Sequence, residues 1–392
     1  MGNVNITLAN GRLGATLQTH DGIAGMVLTG RSETGGYTLG TPILLGGWAD
    51  MASAGISEAG NPFAYRQVKE FYAEAGASAM LYLLLVGPTV KVEKIADYAF
   101  AEGARKLLDF AAGRIRLLGV MTDDTAVYGS GTPLVTAAGI NDDVYAAGTN
   151  MGMMARHYFE AEQPFRALLG GTSYNGTAAT LTDVSAGSTN NRTAIVIGDT
   201  QPGAGACLGL ALGRLSAVPV QRKLSRVRSG GLSCTAAFLG THAMTAALAS
   251  PVADKGFITF KTYPNMGGYY FSGDGTCSAS TDDYHFLARG RVMDKAHLLA
   301  YAVFVQEVDE EVLVNDDGTL DAGFCKWLSQ RIVNQIANTM IATGEASSAT
   351  CFIDPAQQIL STGRLNVVIR LTPVGYATDI EINLGFDNPA AA

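Results

Sequence analysis

Leu81-Tyr82-Leu83-Leu84-Leu85-Val86 restricts the fold more than any other stretch of this chain. Six apolar residues in succession leave no polar face, so a strand built from them has to be covered on both sides. The apolar run, 79–87 at its widest, falls far short of the ~20 residues a membrane-crossing helix needs. Two-sided cover comes from helices, and the neighbouring sequence supplies them. Residues 61–75 read as a helix with Phe63, Val68 and Phe71 as apolar positions. Residues 92–112 read as a second, with apolar residues at three- and four-residue spacings. Residues 141–161 read as a third, with Asp142 and Asp143 in its first turn. Between them, 116–122, 166–170 and 193–198 (TAIVIG) read as further strands, and Pro42-Ile-Leu-Leu precedes a loop. This alternation predicts an α/β (α+β) chain with mixed sheets flanked by helices.

The chain has 392 residues, 47% of them hydrophobic, enough for two or three packed units. Only 16% are charged and 47 are glycine. A surface that poor in charge belongs to a turn-rich chain or to one covered by other chains, and both favour an assembling protein over a solitary enzyme. The net charge of −8 leaves no overall nucleic-acid footprint. Residues 170–191 read as a glycine- and serine-rich loop. After about residue 250 the order becomes strand, turn, strand, two helices and two strands, which places a boundary near 240–255.

Both ends alternate with a two-residue period. Val4, Ile6 and Leu8 interleave with Asn3, Asn5 and Thr7, and Ile380, Ile382, Leu384 and Phe386 interleave with Asp379, Glu381, Asn383 and Gly385. The pattern predicts half-buried strands. Such strands are edge strands of their own fold, or arms that add to another chain's sheet. The N-terminus has neither the basic region nor the apolar core of a signal peptide, and Ile6 stands where myristoylation requires Ser or Thr. The expectation is a soluble protein, intracellular where it is made.

Candidate chemistry is sparse. Gly203, Gly205 and Gly209 follow the 193–198 strand as they would in a dinucleotide fold. The acidic residue expected about twenty positions later is missing, and a small-residue helix packed closely on a sheet gives the same glycines. Arg222, Lys223, Arg226 and Arg228 form a basic cluster suited to a phosphate, to an acidic patch on a neighbouring subunit, or to solvent. Acidic doublets at 123–124, 142–143, 282–283 and 316–317 lack EF-hand spacing and read as caps and turns, and Glu307, Asp309, Glu310 and Glu311 as a solvated helix end. His20, His157, His242, His285 and His297 include no pair spaced as a helical metal site, and no serine sits in G-x-S-x-G. Cys207, Cys234, Cys277, Cys325 and Cys351 are scattered, as free thiols in a reducing compartment would be. No cofactor and no metal is expected.

One segment is more specific. Lys255-Gly-Phe-Ile-Thr-Phe-Lys-Thr-Tyr-Pro264 leads to Gly267-Gly268-Tyr-Tyr-Phe-Ser, then to Asp282-Asp283-Tyr284-His285-Phe286-Leu287 and Arg289-Gly-Arg291-Val-Met-Asp294-Lys295-Ala296. This resembles the conserved domain of contractile tail sheath proteins of phages, tailocins and related injection machines. Asp21-Gly22 to Gly30 resembles the family's opening strand, and 365–371 with 378–386, split by Pro373, its closing strands. The glycines and alanines after the 193–198 strand depart from the aromatic-rich family pattern and mark a divergent branch.

The resemblance implies an arm at 1–20, an α/β region at 21–245 with a variable middle, a conserved sheath domain at 246–376 and a second arm at 377–392. It implies a structural subunit, not an enzyme, that polymerises into stacked hexameric rings around an inner tube protein and contracts to drive that tube through an envelope. Partners would be further copies, the tube, and baseplate and terminator proteins, without nucleic acid or membrane insertion. The place would be the tail of a virion or injection particle, assembled in the bacterial cytoplasm. Val4, Ile6, Leu8, Ile380, Ile382, Leu384 and Phe386 would form the interchain strands. The amphipathic helix 322–343 buries Phe324, Leu328, Ile332, Ile336 and Met340, and its other face, with Lys326, Gln330, Arg331, Asn334 and Asn338, is a candidate for the tube or for plain solvent. Alternatives are a nucleotide-binding α/β enzyme using 203–209, and another structural component of a tail.

Overall fold

The computed structural model describes residues 20–128, 134–312, 314–378, 380–382 and 384–385. In chain order the described elements are β1 (Ala24–Thr29), β2 (Ile43–Leu45), α1 (Asp50–Ser53), α2 (Pro62–Ala75), β3 (Leu81–Val86), α3 (Val92–Ile95), α4 (Ala104–Ala111), β4 (Leu117–Met121), α5 (Asp124–Val127), α6 (Asp143–Glu160), β5 (Arg166–Gly170), β6 (Thr193–Val196) and α7 (Leu208–Ala217). They continue with β7 (Phe238–Leu239), β8 (His242–Ala243), α8 (Ala246–Ala253), β9 (Phe260–Lys261), β10 (Tyr270–Phe271), α9 (Leu287–Phe304), α10 (Ala322–Ile336), β11 (Ala346–Ile353), α11 (Ile359–Thr362) and β12 (Val367–Pro373). Two compact units result, Met1–Glu310 and Glu311–Ala392.

The first unit is built on a six-stranded sheet in the order β2-β3-β1-β4-β5-β6. β3, β1, β4, β5 and β6 run parallel, and β2 joins the β3 edge antiparallel. The side chains of β3 divide between two cores. Leu81, Leu83 and Leu85 face α2 and α7, together with Met26, Leu28, Phe71, Leu208 and Leu212. Tyr82, Leu84 and Val86 face the other side, together with Leu107, Leu118, Val144 and Met151. The unbroken apolar run is therefore the consequence of a strand covered on both faces. β3 is added on one side of β1 and β4, β5 and β6 on the other, so the strand order reverses between the parallel neighbours β1 and β4. The crevice beyond the carboxyl ends of the strands is lined by Arg66, Asp123, Asp199 and residues 201–205 and holds about 430 Å³.

The helix predicted over 92–112 is two helices, α3 and α4. The Asp97 carboxylate accepts from Ala99 N at 2.9 Å and from Lys94 Nζ at 3.1 Å, a local pairing that competes with helical hydrogen bonds. At Gly103 a Cβ would stand 2.6 Å from the Ile95 carbonyl oxygen, so the return of the chain over α3 requires glycine there.

In the second unit α10 lies on the antiparallel β11–β12 hairpin and continues as a π-turn over Ala337–Ile341. Of the closing strands predicted, 365–371 is observed as β12. Residues 378, 380–382, 384 and 385 are not in a strand, because a strand needs a ladder partner and β12 is paired with β11.

Candidate functional site

The segment that carried the resemblance folds as a brace across the first unit. Ile258 bridges Val196 in parallel, with Ile197 N donating to Ile258 O at 2.8 Å and Ile258 N to Ile195 O at 2.9 Å. It therefore extends the main sheet beyond β6. β9 then pairs antiparallel with β10, and the Phe260 and Phe271 rings stack with centroids 5.9 Å apart. Gly267 and Gly268 make the intervening turn, Gly268 with φ of +84°.

A second glycine-containing stretch, Ser272-Gly273-Asp274-Gly275, follows β10. Asp274 is fully buried against the start of α9: its carbonyl accepts from Leu287 N at 2.9 Å and its carboxylate from Ala288 N at 3.3 Å. An acid at a helix N-terminus satisfies donors that have no partner within the helix. Burial nevertheless pushes this carboxyl up to about 6, opposed by the Lys223 ammonium 3.9 Å away. Lys223, one of the basic cluster, lies 3.3 Å above the Phe286 ring and is itself pulled down by burial.

α9 is locked to the sheet through its Arg-Gly-Arg-Val-Met-Asp-Lys sequence. Arg166, which opens β5 and is 2% exposed, donates through Nε and Nη2 to Asp294 at 2.6 and 2.9 Å. The same guanidinium donates to Gly290 O at 3.0 Å and Asn191 O at 2.9 Å. Gly290 is the residue that admits it, since a Cβ there would sit 2.4 Å from Arg166 Cζ. Arg192 adds a 3.3 Å contact to Asp294 while stacking over Phe159. Arg291 reaches Val218 O at 3.2 Å, and Lys295 pairs with Asp21 at 2.8 Å.

The glycines after β6 pack two helices together. A Cβ at Gly209 would lie 1.9 Å from the Gln67 carbonyl oxygen, and one at Gly213 2.4 Å from that of Phe71, so α7 meets α2 backbone to backbone. Gln67, fully buried, donates to Ala206 O at 3.1 Å and accepts from Gly209 N at 2.8 Å. The amide a pyrophosphate would need is thus already bound. Gly209→Val is expected to cost about 1–3 kcal/mol or more through overpacking, read as a lower urea midpoint. A panel of dinucleotides is expected to leave the melting temperature of the native chain unchanged.

Among the described residues no group of three His, Cys, Asp or Glu side chains could hold a metal ion, and no helix is long and apolar enough to cross a membrane. All five cysteines are free thiols; burial pushes Cys277 up to about 12 and Cys234 up to about 11.

In the second unit Leu328, Ile332, Ile336 and Met340 are buried beneath α10, with Phe324 half-buried at its start. Lys326, Gln330, Asn334 and Asn338 are exposed, and Gln330 donates to Asn334 at 2.8 Å. Arg331 is half-buried, its guanidinium 5.6 Å from the ring of Trp327. Trp327 is 53% exposed beside these residues, and the sequence reading passed it over. An aromatic on an otherwise polar helical face was the available signal. The hairpin's outer face pairs Phe352 with Val368 and Thr350 with Arg370, leaving Phe352 62% exposed. Ile380, Ile382 and Leu384 are exposed; Val4, Ile6, Leu8 and Phe386 lie outside the described residues.

The protein-family model described as the DUF2586 N-terminal domain matches residues 1–275, and that of the DUF2586 C-terminal domain matches 283–391. No curated protein sequence matches the chain. Solved structures match over nearly its whole length. The helical sheath of the anti-feeding prophage in its contracted state is 13% identical with a TM-score of 0.64, covering 98% of this chain and 99% of that one. A chain of the contracted anti-feeding prophage baseplate is 14% identical with a TM-score of 0.65, at 99% and 98% coverage. The sheath tail protein of Desulfitobacterium hafniense is 12% identical with a TM-score of 0.52, at 95% and 100% coverage. At these identities the likeness establishes a shared fold.

Proposed function

The chain belongs to the DUF2586 family, and we propose that it is the structural subunit of a contractile sheath. In this reading it polymerises into stacked hexameric rings around an inner tube and acts by assembly and contraction rather than catalysis. The observation that carries the proposal is coverage: the likeness to a contracted helical sheath spans 98% of this chain and 99% of the other. The second unit supports it. A two-stranded sheet is marginal on its own, and Val367, Ile369 and Leu371, which lie on the α10 side of β12, remain half-exposed. Strands from neighbouring copies, 1–20 and 377–392 in this proposal, would complete that sheet. Contraction is then a rearrangement of packed units about flexible links. The exposed face of α10, with Lys326, Gln330, Asn334 and Asn338 and the adjoining Arg331, is proposed to meet the tube.

Negative-stain microscopy of the purified protein tests this. Rings, helical tubes or hollow contracted cylinders are expected. A protein that stays monomeric at every concentration and salt condition overturns the assembly reading. Closed rings without tubes would favour the likeness to the baseplate chain instead.

A further inference from the structure

The loop 199–206, which follows β6 and lines the crevice at the ends of the strands, is fastened to α2 by an unusual cluster. Arg66 grips Asp199 with two hydrogen bonds, Nη1 to Oδ1 at 2.6 Å and Nη2 to Oδ2 at 2.9 Å. Glu70, one helical turn on, has an oxygen only 3.6 Å from the same guanidinium. That oxygen is 2.5 Å from the Thr200 hydroxyl, which in turn lies 3.5 Å from Asp199 Oδ1. The other oxygen of Glu70 is buried without a hydrogen-bond partner.

Two carboxylates thus share one guanidinium, and one of them has half of its charge-bearing surface unsolvated and unbonded. With Glu70 neutral, its carboxyl can donate a hydrogen bond to the Thr200 oxygen, the Thr200 hydroxyl can turn toward Asp199, and Arg66 serves a single anion. With Glu70 ionised, two like charges compete for Arg66 in a site with little water, and the orphaned oxygen bears the desolvation cost.

We propose that Glu70, Thr200 and Asp199 form a pH-sensitive latch that holds loop 199–206 against α2 below neutrality and loosens as Glu70 ionises. The other groups facing Glu70 do not relieve it. On α2, Glu74 is engaged by Arg214 of α7 and by Ser233 N. From the start of α7 comes Cys207, and from the 230–236 segment Cys234; burial raises both thiols, so both stay neutral across the range in question. Arg66 is therefore the cation against which Glu70 and Asp199 must be balanced.

Burial pushes the Glu70 carboxyl up to about 7 from an ordinary 4.5. The sign follows from linkage. A folded-state value above the open-state value means that the latch is fully fastened below about 4.5. It weakens as pH rises toward 7 and is flat beyond.

Hydrogen exchange of the full-length chain reads the latch directly. After correction for intrinsic rates, the opening constant of amides in 199–206 is expected to rise about tenfold or more between pH 5.5 and 7.5. Glu70→Gln, which keeps the shape and removes the titration, is expected to flatten that rise while leaving protection at pH 5.5 near the native level. Asp199→Asn leaves Arg66 to Glu70 alone and is expected to move the transition to lower pH. A native chain whose loop opening does not change over this range overturns the proposal. So does a Glu70→Gln chain that keeps the native profile, or an Asp199→Asn chain whose midpoint does not move.

Discussion

Replacing Arg166 with alanine is expected to destabilise the first unit by about 3–5 kcal/mol, the usual consequence of removing one partner of a buried ion pair. Asp294, with 6% of its side chain exposed, would keep only the longer 3.3 Å contact to Arg192. The Gly290 and Asn191 carbonyls would each lose a donor as well. Replacing the pair together, as Arg166→Met with Asp294→Leu, is expected to be milder, because neither fully buried charge is then left alone and only Arg192, with 16% of its side chain exposed, loses a partner. Gly290→Val should fall with the single mutant rather than with the pair, since its Cβ would occupy the guanidinium's place. Urea denaturation followed by far-UV circular dichroism separates these outcomes. Equal losses in the Arg166→Ala and double variants would mean that the pair matters by its volume and not by its charge.

This ion pair also marks the limit of what the sequence could reveal. Arg166 and Asp294 are 128 positions apart, and nothing local to either announces the other. Strands β3, β4 and β6 were legible because a strand covered on both faces needs an unbroken apolar run, and that run is a local property. α2 and α6 were legible for the same reason, through their periodicity. The break between α3 and α4 was not, because the apolar spacing continues through it while Asp97 and Gly103 impose the turn. β11 was missed because its sequence, Ala-Ser-Ser-Ala-Thr-Cys-Phe-Ile, puts small and polar residues where a half-buried strand carries large ones. Its outer face is open in the single chain, so the alternation is weak.

Of the candidate sites, the glycines at 203–209 were visible but ambiguous. Close approach to a pyrophosphate and close approach to another helix make the same demand on the backbone. Gln67, the residue that decides between them, lies 142 positions from Gly209. The cap at Asp274 was not legible because the helix it serves begins thirteen residues later, at Leu287. The polar face of α10 was read from periodicity alone, and Trp327 beside it escaped because hydrophobic positions were sought on the opposite stripe.

Removing residues 379–392 is expected to abolish polymerisation entirely while leaving a folded monomer. Ile380, Ile382 and Leu384 are 74%, 79% and 96% exposed, so their loss takes little from the fold of the isolated chain. In an assembly their burial would contribute about 1.5–3 kcal/mol each. Ordering a five-residue strand costs about 1–2 kcal/mol per residue. The two sums nearly cancel, so the ladder hydrogen bonds and the repetition of contacts around a lattice decide whether the arm docks. An arm so finely balanced should fail on a single change. Ile382→Asp would place a charge where the docked arm buries an apolar side chain and is expected to block tubes as completely as the deletion. Ile382→Val, which keeps a β-branched apolar side chain, is expected to permit them. Sedimentation velocity would find the truncated and Ile382→Asp chains as folded monomers, and microscopy would score tubes for Ile382→Val. If the truncated chain still builds full-length tubes, the C-terminal segment is not an interchain strand, and the open hairpin edge of the second unit must be completed by some other part of a neighbouring copy.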